Sequence, residues 1–128
     1  MSEHDHPTIL VVEDDPQVRA VIASILQSAG YGVLEAAHGK AALSMLKLHQ
    51  VQVAVCDLAM PEMDGLELMR LVHRMHSGVR IIAYSGVFGE DMLKTAVRFG
   101  ASAVITKPFS PRCLLATVEA LLQDGQAI

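Results

Sequence analysis

With 128 residues, 52% of them apolar, and a formal charge of −4, the chain can bury the core of one domain, which excludes disorder as its main description. It has no block rich in lysine or arginine, which argues against a nucleic-acid surface, and no apolar stretch near the roughly 18 residues of a membrane span. The polar, acidic start Met1-Ser2-Glu3-His4-Asp5-His6 is the reverse of a secretory leader, so a cytoplasmic location is expected.

Along the chain, short β-rich runs alternate with longer stretches of helical spacing. The first run is Ile9-Leu10-Val11-Val12, and the helical stripe after it uses Val18, Val21, Ile22, Ile25 and Leu26. Gly32-Val33-Leu34 follows, then a stripe of Ala41, Ala42, Met45 and Leu46. Val51 to Val55 is the third run, before Leu66, Met69 and Val72. Ile81-Ile82-Ala83 precedes Met92, Leu93, Ala96 and Val97; Ala103-Val104-Ile105 precedes Leu114, Leu115, Val118, Leu121 and Leu122. Gly30, Gly78 and Gly100 stand just past helical stripes, where a left-handed terminal residue is wanted.

Five strands alternating with five helices predict parallel strands joined by crossovers, in an α/β/α sandwich. The runs at 9–12 and 51–55 are apolar at nearly every position, as a sheet covered on both faces requires. In such a fold the chemistry lies at the carboxyl ends of the strands. There the sequence puts Glu13-Asp14-Asp15, Asp57, Ser85 and Thr106-Lys107-Pro108. Converging carboxylates repel one another and need a compensating cation. A hard divalent ion with oxygen ligands, Mg²⁺ being the expected one, meets that need. A lysine and a hydroxyl opposite supply donors for phosphoryl oxygens, so the set describes a carboxylate nucleophile, a cation and an oxyanion clamp.

The stretches Ile9-Leu10-Val11-Val12-Glu13-Asp14-Asp15, Cys56-Asp57-Leu58-Ala59-Met60-Pro61-Glu62-Met63-Asp64-Gly65, Tyr84-Ser85-Gly86 and Thr106-Lys107-Pro108-Phe109 resemble those of response-regulator receiver domains, the chemotaxis-regulator type among them. The resemblance covers about residues 8–123, leaving 1–7 and 124–128 as tails of a single domain over 1–128. It implies a doubly wound, flavodoxin-like five-stranded sheet of order 2-1-3-4-5. It implies phosphotransfer from a histidine kinase or histidine phosphotransfer protein onto Asp57. The conformational change would then act on a downstream protein through the face at about 89–123. Carried over by position, Asp14 and Asp57 are direct metal ligands, Glu13 acts through water and the backbone oxygen of Ala59 is the third protein ligand. Ser85 and Lys107 are the conserved hydroxyl and lysine, and Pro108 follows a cis bond. The expected molecule is a signalling phospho-acceptor rather than an enzyme, monomeric or weakly dimeric. The initiator methionine favours a stand-alone receiver over a portion of a larger regulator or hybrid kinase.

The sequence departs from the family at three places. Ser85 stands for the commoner threonine, Val104 stands where many relatives carry an aromatic switch residue, and Ala59 and Val87 are apolar where relatives control water access. Phe88, Tyr84 or Phe109 are the candidates to replace the aromatic readout. Apolar residues at 59 and 87 predict a long-lived phosphorylated state. A haloacid-dehalogenase-like phosphatase would need a general acid two residues after Asp57, and Ala59 has no proton to give. A flavin carrier on this fold is opposed by the acidic first loop, which repels a phosphate. A degenerate receiver that only binds a partner is opposed by the complete set of site residues. Asp15 reads as a helix cap, Asp64-Gly65 as turn chemistry, His73 and His76 as a solvated face, and Cys56 as a buried reduced thiol.

Overall fold

The computed structural model describes residues 6–58, 65–76, 78–86 and 90–126. Strand β1 (Thr8–Val12) leads into helix α1 (Pro16–Ser28), followed by β2 (Gly32–Ala36), α2 (Gly39–Leu48), β3 (Val53–Asp57) and α3 (Gly65–Met75). The chain continues through β4 (Arg80–Ser85), α4 (Glu90–Arg98), β5 (Ala103–Thr106) and α5 (Pro111–Gln126). The strands form one parallel sheet of order β2-β1-β3-β4-β5, so the order that the resemblance implies is the one observed. All five strands reach beyond their apolar runs. The third starts two residues later than expected and ends on Asp57, which pairs in register with Tyr84. The ladder tolerates a polar side chain because its hydrogen bonds are made by the backbone, and it thereby delivers Asp57 and Ser85 to the sheet edge.

Alternate side chains of the central strands enter two cores. Leu10, Val12, Ala54, Cys56, Ile81 and Ala83 pack with residues of α2, α3 and α4 on one face. Ile9, Val11, Val53, Val55, Ile82 and Tyr84 pack with α1 and α5 on the other. Both faces are covered, which is why these strands carry no solvent-facing alternation. Two members of the apolar stripes lie outward instead: Val21 and Val97 are each 59% exposed. On α1 the buried line runs through Ile22, Ala23 and Leu26, and Val21 falls to one side of it, on the rim of a groove with Gln17, Val18, Ile25, Phe109 and Pro111. The side chains of Leu66, Met92 and Leu93 and the Asp64 turn lie outside the described residues.

Of the three glycines, Gly30 (φ 95°) and Gly100 (φ 113°) adopt the left-handed conformation, but Gly78 does not. At Gly30 and Gly100 the chain closes the helix with N–H groups folded back onto its last carbonyls. Helix α3 is followed differently, by a Val79 N–H bond to the His76 carbonyl, so position 78 makes no such demand.

Candidate functional site

Asp15 caps α1 as expected: its Oδ1 accepts hydrogen bonds from Gln17 N–H (2.8 Å) and Val18 N–H (3.3 Å), with Pro16 in the first turn. This leaves Glu13 and Asp14 on the loop above β1. Arg19, which no motif singles out, donates from Nη1 to the Glu13 carbonyl at 2.8 Å and pairs with Glu35 at 3.4 Å. One carboxylate oxygen each from Glu13, Asp14 and Asp57 falls within 4.8 Å of the other two. Glu13 (2% exposed) and Asp57 (4%) are buried, and Asp14 faces solvent. The Asp14 carboxyl is pushed above its ordinary pKa by hydrogen bonding with Glu13, then by partial desolvation and by the repulsion of that carboxylate.

Lys107 closes the site from the end of β5. Its Nζ lies 3.6 Å from Asp57 Oδ2, 3.9 Å from Glu13 Oε1 and 4.8 Å above the centre of the Tyr84 ring. The Lys107 N–H donates to the Ser85 carbonyl at 2.8 Å, and the peptide bond to Pro108 is cis. Gly86 leaves room for the lysine stem: a Cβ there would stand 3.3 Å from Lys107 Cδ. Ser85 itself is 3% exposed, and its Oγ is buried with no hydrogen-bond partner among the described residues. An orphaned hydroxyl at the end of β4, a buried carboxylate with a lysine against it, and an all-oxygen donor set suit a hard dication together with a tetrahedral oxyanion.

Tyr84 has a larger part than the sequence reading gave it. Its ring is fully buried, its hydroxyl donates to Glu13 Oε1 at 2.6 Å, and Phe109 meets it edge to face at 5.6 Å. Burial and the bond to Glu13 push the phenol well above its ordinary range. The thiol of Cys56, also buried and beside Asp57, is pushed up to about 12, chiefly by desolvation, so it stays protonated and inert. His73 and His76 stand away from this edge of the sheet on α3 and just after it, and His73 lies against Gly100. The positions of Ala59, Val87 and Phe88 lie outside the described residues. No helix among the described residues is long and apolar enough to cross a membrane.

Residues 9–119 match the response regulator receiver domain family. The chain is 36% identical over 121 residues to a chemotaxis protein CheY homolog of Campylobacter jejuni, covering 91% of this chain and 93% of that one. It is 38% identical over 122 residues to the sensor kinase CckA of Brucella abortus, covering 91% of this chain but only 12% of the kinase. Among solved structures, the CheY-like receiver domain protein of Methanospirillum hungatei superposes with a TM-score of 0.90 at 29% identity, covering 94% of this chain and 97% of that one.

Proposed function

The chain belongs to the response-regulator receiver-domain family of two-component signalling, and on that premise we propose that Asp57 accepts a phosphoryl group from the phosphohistidine of a kinase or phosphotransfer protein. The observation that carries this is a buried Asp57 carboxylate ending β3, inside a three-carboxylate group, with Lys107 Nζ 3.6 Å from its Oδ2. An Asp57 oxygen attacks phosphorus, the phosphorus–nitrogen bond of the donor breaks, and its electron pair stays on the imidazole. Asp14 and Asp57 would hold Mg²⁺ directly, with Glu13 acting through a water and the backbone oxygen of Ala59, which lies outside the described residues, as a further ligand. When bound, the cation supplies charge neutralisation for the incoming phosphoryl oxygens. Lys107 balances the remaining charge, and the Ser85 hydroxyl, which has no partner among the described residues, donates to a phosphoryl oxygen once one arrives.

The same geometry supports a switch rather than turnover of external substrates, because Ala59 offers no proton to a leaving group. Ser85 and Lys107 lie at the ends of β4 and β5, so their movement is transmitted to α4, β5 and α5, about residues 89–123, where a downstream protein docks. We read the chain as one receiver unit over about residues 8–123, working in the cytoplasm as a monomer or weak dimer. The test is intact-mass measurement after incubation with a small acyl phosphate, with and without Mg²⁺. Gain of one phosphoryl group by the wild type only with Mg²⁺, and none by Asp57→Asn, is expected. Equal labelling of the two proteins would refute the assignment.

A further inference from the structure

Glu13 carries a flexible side chain, yet it is held at both oxygens. Oε1 accepts from the Tyr84 hydroxyl at 2.6 Å, and Oε2 accepts from the Asp15 N–H at 3.1 Å. Two donors on different oxygens fix the plane of a carboxylate, where one donor would leave it free to turn. Asp15 is held in turn by its role as the cap of α1. Tyr84 is equally constrained. Its backbone carbonyl accepts from Leu58 N–H at 3.0 Å, and it stands opposite Asp57 in the ladder. Its ring is enclosed, with the Lys107 ammonium over one face and the Phe109 ring packed against it in a T-shaped pair. Phenylalanine would fill this part of the core with the same ring. The hydroxyl has a different use, because its hydrogen-bond partner among the described residues is a carboxylate of the acidic cluster.

We propose that Tyr84 is a positioning residue of the cation site, whose phenol holds Glu13 in the orientation in which that carboxylate, with Asp14 and Asp57, receives a divalent cation. The inference rests on the reading of those three carboxylates as the Mg²⁺ site, and it assigns Tyr84 no contact with the ion. Partners that orient a direct metal ligand from behind are commonly worth 10- to 100-fold in metal affinity, and Tyr84 orients a carboxylate that acts on the ion through a water. Glu13 keeps its second donor in Tyr84→Phe, so the lower end of that range, about a tenfold weaker Kd, is expected.

The experiment is calorimetric titration with MgCl₂ as the only added ligand, on the wild type, Tyr84→Phe, Glu13→Gln and the double variant. Tyr84→Phe should weaken binding about tenfold, and the same substitution in the Glu13→Gln background should change it by less than about twofold. Melting curves without Mg²⁺ establish that each variant is folded at the titration temperature. A second readout needs no loss-of-function variant. The chain has two tyrosines and no tryptophan, so in Tyr31→Phe the emission comes from Tyr84 alone. That emission should change saturably with Mg²⁺, at the midpoint found by calorimetry. If the wild type shows no saturable binding, the Mg²⁺ reading falls and the positioning role falls with it. If the wild type binds and Tyr84→Phe binds equally well, or loses as much with Glu13→Gln as without it, the positioning role alone is overturned. Emission indifferent to a saturating cation would overturn it as well.

Discussion

Replacing Ser85 by alanine should have opposite effects on the two states of the protein. At rest, the Ser85 hydroxyl is buried and has no hydrogen-bond partner among the described residues. Burying a hydroxyl without a partner costs about 1–3 kcal/mol, and alanine removes the oxygen while leaving little empty space. The resting domain should therefore gain about 1 kcal/mol. A domain of 128 residues unfolds with an entropy of about 0.27 kcal/mol/K, so the melting temperature should rise by about 4 °C. With Mg²⁺ and beryllofluoride, a phosphoryl mimic, the wild-type hydroxyl gains a charged acceptor worth about 1.5–3 kcal/mol. Ser85→Ala forgoes that bond, so its affinity for the mimic should fall roughly 10- to 150-fold. Calorimetric melting of both proteins, alone and with Mg²⁺ and the mimic, reads the two effects together. A resting melting temperature equal to or below that of the wild type would show that the hydroxyl is already satisfied. Undiminished stabilisation by the mimic would show that Ser85 does not donate to it. Either result refutes the reasoning.

Asp14 gives a pH-dependent case. Its raised pKa means that the folded, metal-free chain holds this proton more tightly than the unfolded chain does, so stability falls as pH rises through the carboxylate range and the deficit is complete at neutral pH. Metal-free Asp14→Asn should thus melt about 2 °C higher at neutral pH, an effect of about 0.5 kcal/mol for a solvent-facing group, with the gap closing on acidification and Mg²⁺ binding lost at every pH. Lys107→Ala should still bind Mg²⁺ but should respond weakly to beryllofluoride; backbone NMR shifts over 89–123 as large as in the wild type would contradict the role given to the lysine. Gly100→Ala should cost at least about 1–2 kcal/mol from the φ of 113° alone, since its Cβ would also stand 2.8 Å from His73 Cβ; chemical denaturation measures it, and a loss under about 0.5 kcal/mol would mean the helix end readjusts freely.

Much of this was legible in the chain before any coordinate. The apolar runs at 9–12 and 51–55 read as strands covered on both faces, and that covering implied crossover helices and a site at the strand ends. Glu13, Asp14, Asp57, Ser85 and Lys107 were then found by position, and the structure brings Glu13, Asp14, Asp57 and Lys107 together. Strand ends were less legible, because the apolar pattern stops where polar residues begin while the ladder runs on to Asp57 and Ser85. The tie from Tyr84 to Glu13 had a signal that could have revealed it. A tyrosine inside a buried strand needs a partner for its hydroxyl, and this one sits next to the site serine at an edge lined with carboxylates. Arg19 left no such signal: its bond is to a backbone carbonyl, which any residue at position 13 would present.

The central claim is that Asp57, and no other carboxylate of the cluster, carries the phosphoryl group. Borohydride reduction of the phosphorylated protein converts an aspartyl phosphate to homoserine, and peptide mapping then locates the residue that was converted. Homoserine at position 57, formed only when Mg²⁺ was present during phosphorylation, is the expected result. Homoserine at Asp14, a reduced residue derived from Glu13, or conversion at 57 that is indifferent to Mg²⁺ would contradict the account.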